Sequence, residues 1–134
     1  MNMPSEDIKD MLTGESYLEL IFANDLFIGK EPTTPDNCVT IFDTPGIAPM
    51  ITLDEVTGFE YPSIQIRIRN NSYVVGYNLA KDIQDILHGI NQTEINNTLY
   101  SVIYATGEPM LLDWDLNDRA RFVINFEIQR RTIT

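Results

Sequence analysis

Cysteine, histidine and basic residues are scarce in this sequence, and each shortage excludes something. One cysteine, Cys38, has no partner for an intrachain disulfide, and the single His88 leaves no Cys/His metal cluster to build. Nine bases against twenty acids give a formal net charge of -11. That balance argues against a protein that grips a phosphate backbone over a broad surface. No apolar run approaches the roughly eighteen residues of a membrane-spanning helix. Met1 to Asp7 lacks a basic segment followed by an apolar one, so no secretory signal is expected. The Asn-x-Ser/Thr triplets at Asn70, Asn91 and Asn96 then carry no weight as glycosylation sites, and a cytoplasmic place of synthesis follows.

What is present is a chain of 134 residues, 43% apolar and 22% charged, the profile of one globular domain over residues 1–134. Such a chain buries roughly two thirds of its unfolded surface, enough for a core without staples. Its charge is uneven. Residues 1–60 hold twelve acids and two lysines, net -10, whereas residues 61–134 hold eight acids and seven bases, net -1.

Periodicity gives a coarse order of elements. Ser5, with Glu6 and Asp7 behind it, suits a helix start; Ile8, Met11 and Leu12 form a stripe, and one helix or two abutting helices are expected over residues 5–23. A turn-rich stretch from Gly29 to Asn37 precedes a short strand, residues 38–42, which Asp43-Thr44-Pro45-Gly46 is expected to stop. Residues 43–61 then read as a long loop, with a brief strand at Met50 to Leu53 as its one candidate element. Ser63 to Arg69 alternates cleanly, three isoleucines against Ser63, Gln65, Arg67 and Arg69. A helix follows over 73–88, closed by Gly89, and then strands at 99–105, 110–114 and 120–129. Thr106 to Pro109 and Leu116 to Asp118 are read as hairpin turns. The fold class is α+β: a mixed or mainly antiparallel sheet of about five strands covered by two helices.

No constellation in the sequence carries chemistry. Asp113, Asp115 and Asn117 imitate the start of a calcium loop, but Asp118 stands where glycine is needed and Ile124 where the closing glutamate belongs. Cys38 and His88 are fifty residues apart, neither in a nucleophile elbow, and Thr44-Pro45-Gly46 lacks the lysine and later glycines of a phosphate loop. No enzyme, cofactor or metal is expected. What remains are arginines on strands, namely Arg67 and Arg69, Arg119 and Arg121, Arg130 and Arg131, together with aromatic residues around the second helix. The arginines are either ordinary solvent-facing charges or partners for carboxylates of an identical neighbour, since the guanidinium fork suits such interfaces. Trp114, between two aspartates, is the aromatic residue assigned to an interface.

Across residues 26–131 the chain resembles the minor capsid and tail-terminator proteins of long-tailed bacteriophages. The resemblance runs through the Gly29 turn with Pro32 and Asp36-Asn37, Phe42-Asp43-Thr44-Pro45-Gly46, and the strand Tyr61 to Arg69. It continues through Tyr73 and the helix to Leu87-His88-Gly89, and closes with Arg121 to Phe126, Asn125-Phe126 being distinctive. Residues 1–25 share only an expected helix. The resemblance implies a tail-terminator-like fold and a ring-forming homo-oligomer, usually a hexamer, at the tail-neck junction of a virion assembled in a bacterial cytoplasm. Its partners would be the major tail tube protein and the head connector, with DNA passing through unread and no membrane involved. Arg67, Arg69, Tyr73, Trp114, Arg119, Arg121, Asn125 and Arg130 are the expected subunit or partner interface. Ile47, Met50, Ile51, Asp54, Glu55 and Glu60 are expected on a loop facing the tube or channel. The alternatives are a head-completion or connector-adaptor protein of the neck, and a soluble adaptor that binds a host protein.

Overall fold

The computed structural model describes residues 1–48 and 58–133. Helix α1 (Pro4–Thr13) opens on a proline, whose missing amide is harmless in a first turn, with Glu6 and Asp7 at the positive end of the dipole. Ser5 does not cap it. Its amide and hydroxyl instead donate to the Asp43 carboxylate at 3.0 and 2.7 Å, so a distant strand supplies the acceptor.

The helix expected to reach residue 23 stops at Gly14. Ser16–Leu18 form a single 3-10 turn, Glu19 is left-handed at φ 56°, and the Asp25 carboxylate accepts from the Ile21 amide at 2.7 Å, folding 21–25 into a turn. Local hydrogen bonding by an aspartate therefore outcompetes helix propagation through Tyr17 to Phe22.

Seven strands follow among the described residues, two more than the sequence suggested: β1 (Leu26–Ile28), β2 (Cys38–Ile47), β3 (Tyr61–Asn70), β4 (Ile90–Ile95), β5 (Thr98–Ala105), β6 (Met110–Trp114) and β7 (Ala120–Thr132). Helix α2 (Tyr73–Leu87) lies between β3 and β4, with the Ser72 hydroxyl accepting from the Val75 amide at its start. The sheet order is β1-β2-β3-β7-β5-β4, with β6 also on β7; only β1 and β2 are parallel. β4 escaped notice because Asn91 to Glu94 do not alternate. It forms as a hairpin with β5 through Asn96 and Asn97, both at positive φ, as a two-residue reversal requires.

Two junctions differ from expectation. Asp43 to Gly46 do not stop β2. Thr44 pairs with Ser63 and Ile47 with Tyr61, so Pro45 and Gly46 are accommodated as a bulge that inserts one extra residue. Gly46 is at φ 60°, and a Cβ there would lie 2.3 Å from the Tyr61 carbonyl oxygen. The segment from Thr106 to Pro109 is not a hairpin turn. β5 pairs with the second half of β7 and β6 with the first half, so this segment steps along one edge of β7. The expected strand at Met50 to Leu53 lies outside the described residues.

Both helices cover one face of the sheet. Ile8 and Leu12 of α1 and Ala80, Ile83 and Leu87 of α2 join Val39, Ile41, Ile64, Ile66, Ile68, Phe122, Ile124, Phe126 and Ile128 in one buried core. The alternation of β3 and β7 thus sends the isoleucines and phenylalanines inward and leaves the opposite face polar.

Candidate functional site

On that opposite face, β3 and β7 carry a row of side-chain hydrogen bonds. The Ser63 hydroxyl donates to Glu127 at 2.7 Å, and the Gln65 amide to Asn125 at 3.0 Å. The Arg67 Nε donates to Gln65 at 3.0 Å, while its guanidinium lies 4.8 Å from the centre of the Phe42 ring. Arg67 has no carboxylate partner among the described residues. Asn125 is exposed, and beside it Ile47, 67% exposed, edges a groove of about 460 Å³ lined also by Tyr104 and Glu127. Arg67, Asn125 and Ile47 therefore stand on an open surface.

Arg69 does not. It sits on the same strand face but is 3% exposed, beneath the 29–37 segment. Its guanidinium donates to the carbonyls of Thr33, Pro35 and Asp36 and to Glu31. Arg119 joins this clasp through the Thr33 carbonyl at 2.8 Å and Asp36 at 3.1 Å, and meets Asp115 at 2.7 Å. Arg121 donates to both oxygens of Asp113 at 2.6 Å and reaches Glu31 at 3.2 Å. The hydrogen bond from Arg121 holds Asp113 below the ordinary carboxylate range, and the same contact raises the guanidinium pKa. At Asp115 burial pushes the pKa up, but the Arg119 amide and guanidinium and the Asn117 amide outweigh it.

Arg130 is also buried, at the other end of β7. It donates to Glu60 at 2.6 Å, to the Asn2 carbonyl at 2.9 Å and to the Tyr100 hydroxyl at 3.2 Å. Asp7, fully buried, accepts from Tyr100 and from Asn96 and lies 3.6 Å from Arg130. Burial, and then the bond to Asp7, raises the Tyr100 pKa. Glu60 is thus an internal anchor that ties the start of β3 to β7 and α1. Met50, Ile51, Asp54 and Glu55 lie outside the described residues.

Tyr73 and Trp114 come together although forty residues separate them. Their rings stack at 6.2 Å with 20° between planes, and Tyr73 and Tyr77 both meet the buried Phe122 edge-on. About half of each of Tyr73 and Trp114 remains exposed. The residues that sequence reasoning missed are Glu31, Asp36, Asp43, Asp7 and Tyr100. Each acts only through tertiary contact, and no local spacing marks it.

A mixed sheet with helices on one face and a polar second face defines an α+β fold. One solved structure, described as "Virion of native gene transfer agent (GTA) particle", contains a chain that superposes with a TM-score of 0.69 over 96% of this chain and 95% of that one, at 12% identity. The chain belongs to the bacteriophage tail terminator family, whose model matches residues 7–132. No curated protein matches it in sequence.

Proposed function

We propose that this chain forms a ring, hexameric when assembled, that caps the tail tube, stops its polymerisation and offers its other face to the head connector. The family match over residues 7–132 carries this reading. The protein works at the tail-neck junction of a virion assembled in a bacterial cytoplasm, catalyses nothing and needs no cofactor. Its net charge of -11 suits a channel through which DNA passes without sticking. Arg67, Asn125, Tyr73 and Trp114 are exposed enough for direct contact with neighbouring subunits or partners. Arg69, Arg119, Arg121 and Arg130 serve assembly by fixing the shape of the subunit. Ile47, with Met50, Ile51, Asp54 and Glu55, faces the tube or channel, and Glu60 holds the return of that segment.

The test is deletion of the gene followed by addition of purified protein. Tubes of uncontrolled length and unjoined heads, both corrected by the added protein, are the expected result. Tubes of normal length that fail only to join heads would instead place the chain on the head side, as a connector adaptor. Normal joined particles without it would overturn both.

A further inference from the structure

The open face of the sheet, the one that no helix covers, carries an uncommitted cation. Register places Phe27, Thr40, Arg67, Val123 and Met110 in one row across that face, from β1 to β6. Thr40 and Val123 are buried, Arg67 is half-buried and Met110 is 60% exposed. Arg67 acts through space on Asp113, but Arg121 already holds both oxygens of that carboxylate at 2.6 Å. Glu127, on the same face, accepts from Ser63 instead. Nε of Arg67 donates to Gln65, and its two terminal nitrogens have no hydrogen-bond partner among the described residues. That half of the fork is free for a carboxylate from outside the subunit.

The helical side of the molecule carries the complement. Helix α2 buries Gly76, Ala80, Ile83 and Leu87 and turns Val74, Val75, Asn78, Asp82 and Asp85 to solvent. Lys81 feels Asp85 but is engaged by Glu108 at 2.7 Å, so neither Asp82 nor Asp85 has an ion-pair partner among the described residues. With Glu15 they act on the exposed Tyr17 hydroxyl, a local excess of negative charge. Helix α1 offers no such run of one sign, since Lys9 stands there paired with Asp10. The spacing also matches. Val75, 54% exposed, and Asp82 lie two turns apart on one helix face, about 10.5 Å along the axis. Met110 and Arg67 lie two strand spacings apart, about 10 Å, across β6, β7 and β3. A helix α2 laid across these strands therefore sets Val75 on Met110 while Asp82 and Asp85 reach Arg67. Like faces do not pair in this way: two open faces would bring Arg67 against Arg67, and two helical faces acid against acid. Unlike faces match, which makes the contact head-to-tail, the kind that closes a ring.

We propose that in the assembled ring helix α2 of one copy of this chain covers the open sheet face of the next, with Asp82 and Asp85 meeting Arg67 and Val75 meeting Met110. The inference rests on the ring proposed above and names the contact that builds it.

The test reverses the charge on one side at a time. One protein carries Arg67→Glu, a second carries Asp82→Lys with Asp85→Lys, and a third carries all three substitutions; urea unfolding checks that each folds. Added to particles that lack the protein, each one-sided variant should complete tails at least about tenfold less well than the parent, because a reversed surface meets an unreversed one. The triply substituted chain should recover. A different protein docking on either surface would instead leave that chain the most defective of the three. A second measurement does not depend on charge. Proteins carrying Val75→Cys and Met110→Cys are mixed, assembled on tails and treated with diamide; Cys38 is buried and does not compete. Linked pairs should form in the mixture and not with either protein alone. Parental completion by a one-sided variant, a folded triple variant that does not recover, or no linked pairs on completed tails overturns the contact and leaves the tail-terminator reading standing. Failure of the parent itself to complete tails counts against that reading.

Discussion

Arg69 on β3 and Arg121 on β7 are register partners, and a single oxygen of Glu31 lies 3.1 Å from one guanidinium and 3.2 Å from the other. Like charges directly opposite in a sheet repel, so this pairing depends on the carboxylate between them. Glu31→Gln keeps the shape and removes the charge. Breaking a buried ion pair costs about 3–5 kcal/mol, and Glu31 retains some contact with water, so a loss of about 2–3 kcal/mol in urea unfolding is expected. A change below about 0.5 kcal/mol would show that the two arginines tolerate each other unaided.

The two arginines of β3 should separate cleanly by substitution. Arg69→Ala removes a buried cation with four hydrogen-bond partners and should cost the free subunit about 3 kcal/mol, with the 29–37 segment gaining fast hydrogen exchange. Arg67→Ala removes a half-exposed side chain with one such bond and should cost no more than about 1 kcal/mol. If Arg67 serves an interface, its alanine variant should assemble poorly while unfolding normally. Equal stability losses at both positions would contradict the burial difference.

Gly46→Ala and Gly29→Ala test the bulge. Both glycines have positive φ, but a Cβ at Gly46 would meet the Tyr61 carbonyl, whereas one at Gly29 meets nothing within 4 Å. Gly29→Ala should therefore cost about 1 kcal/mol, the conformational strain alone, and Gly46→Ala about 2 kcal/mol or more. Thermal unfolding of the two variants side by side decides it; equal costs would mean that the backbone at Gly46 yields freely.

Asp113 sets a pH dependence of known sign. Its pKa is lowered from an ordinary 3.8 by the hydrogen bond from Arg121. A group depressed in the folded state contributes stability above its unfolded pKa and loses that contribution as pH falls through the folded value. Asp113→Asn should thus lower the melting temperature at neutral pH, and the gap to the parent protein should shrink steadily below about pH 4. The carboxylate is partly exposed, so the effect should also weaken in salt. A gap that is constant from pH 7 to pH 2 would mean that the ion pair contributes nothing.

The sequence by itself determined the helix over 73–88, the long strands that became β3 and β7 and the inward direction of their isoleucines and phenylalanines. Those features rest on local periodicity and on capping by Ser72 and Gly89, which no distant residue needs to complete. Only the tertiary structure decided the rest. β1 and β4 lack a pattern of their own and exist because β2 and β5 offer them an edge. β2 passes through Pro45 and Gly46 because β3 pairs on both sides of the bulge. The arginines show the same division: alternation placed Arg67 and Arg69 on one face, but whether that face was wet at each position depended on where the 29–37 segment lay. It folds over Arg69 and leaves Arg67 open, because Glu31 and three backbone carbonyls meet the guanidinium there, and those partners lie more than thirty residues away along the chain.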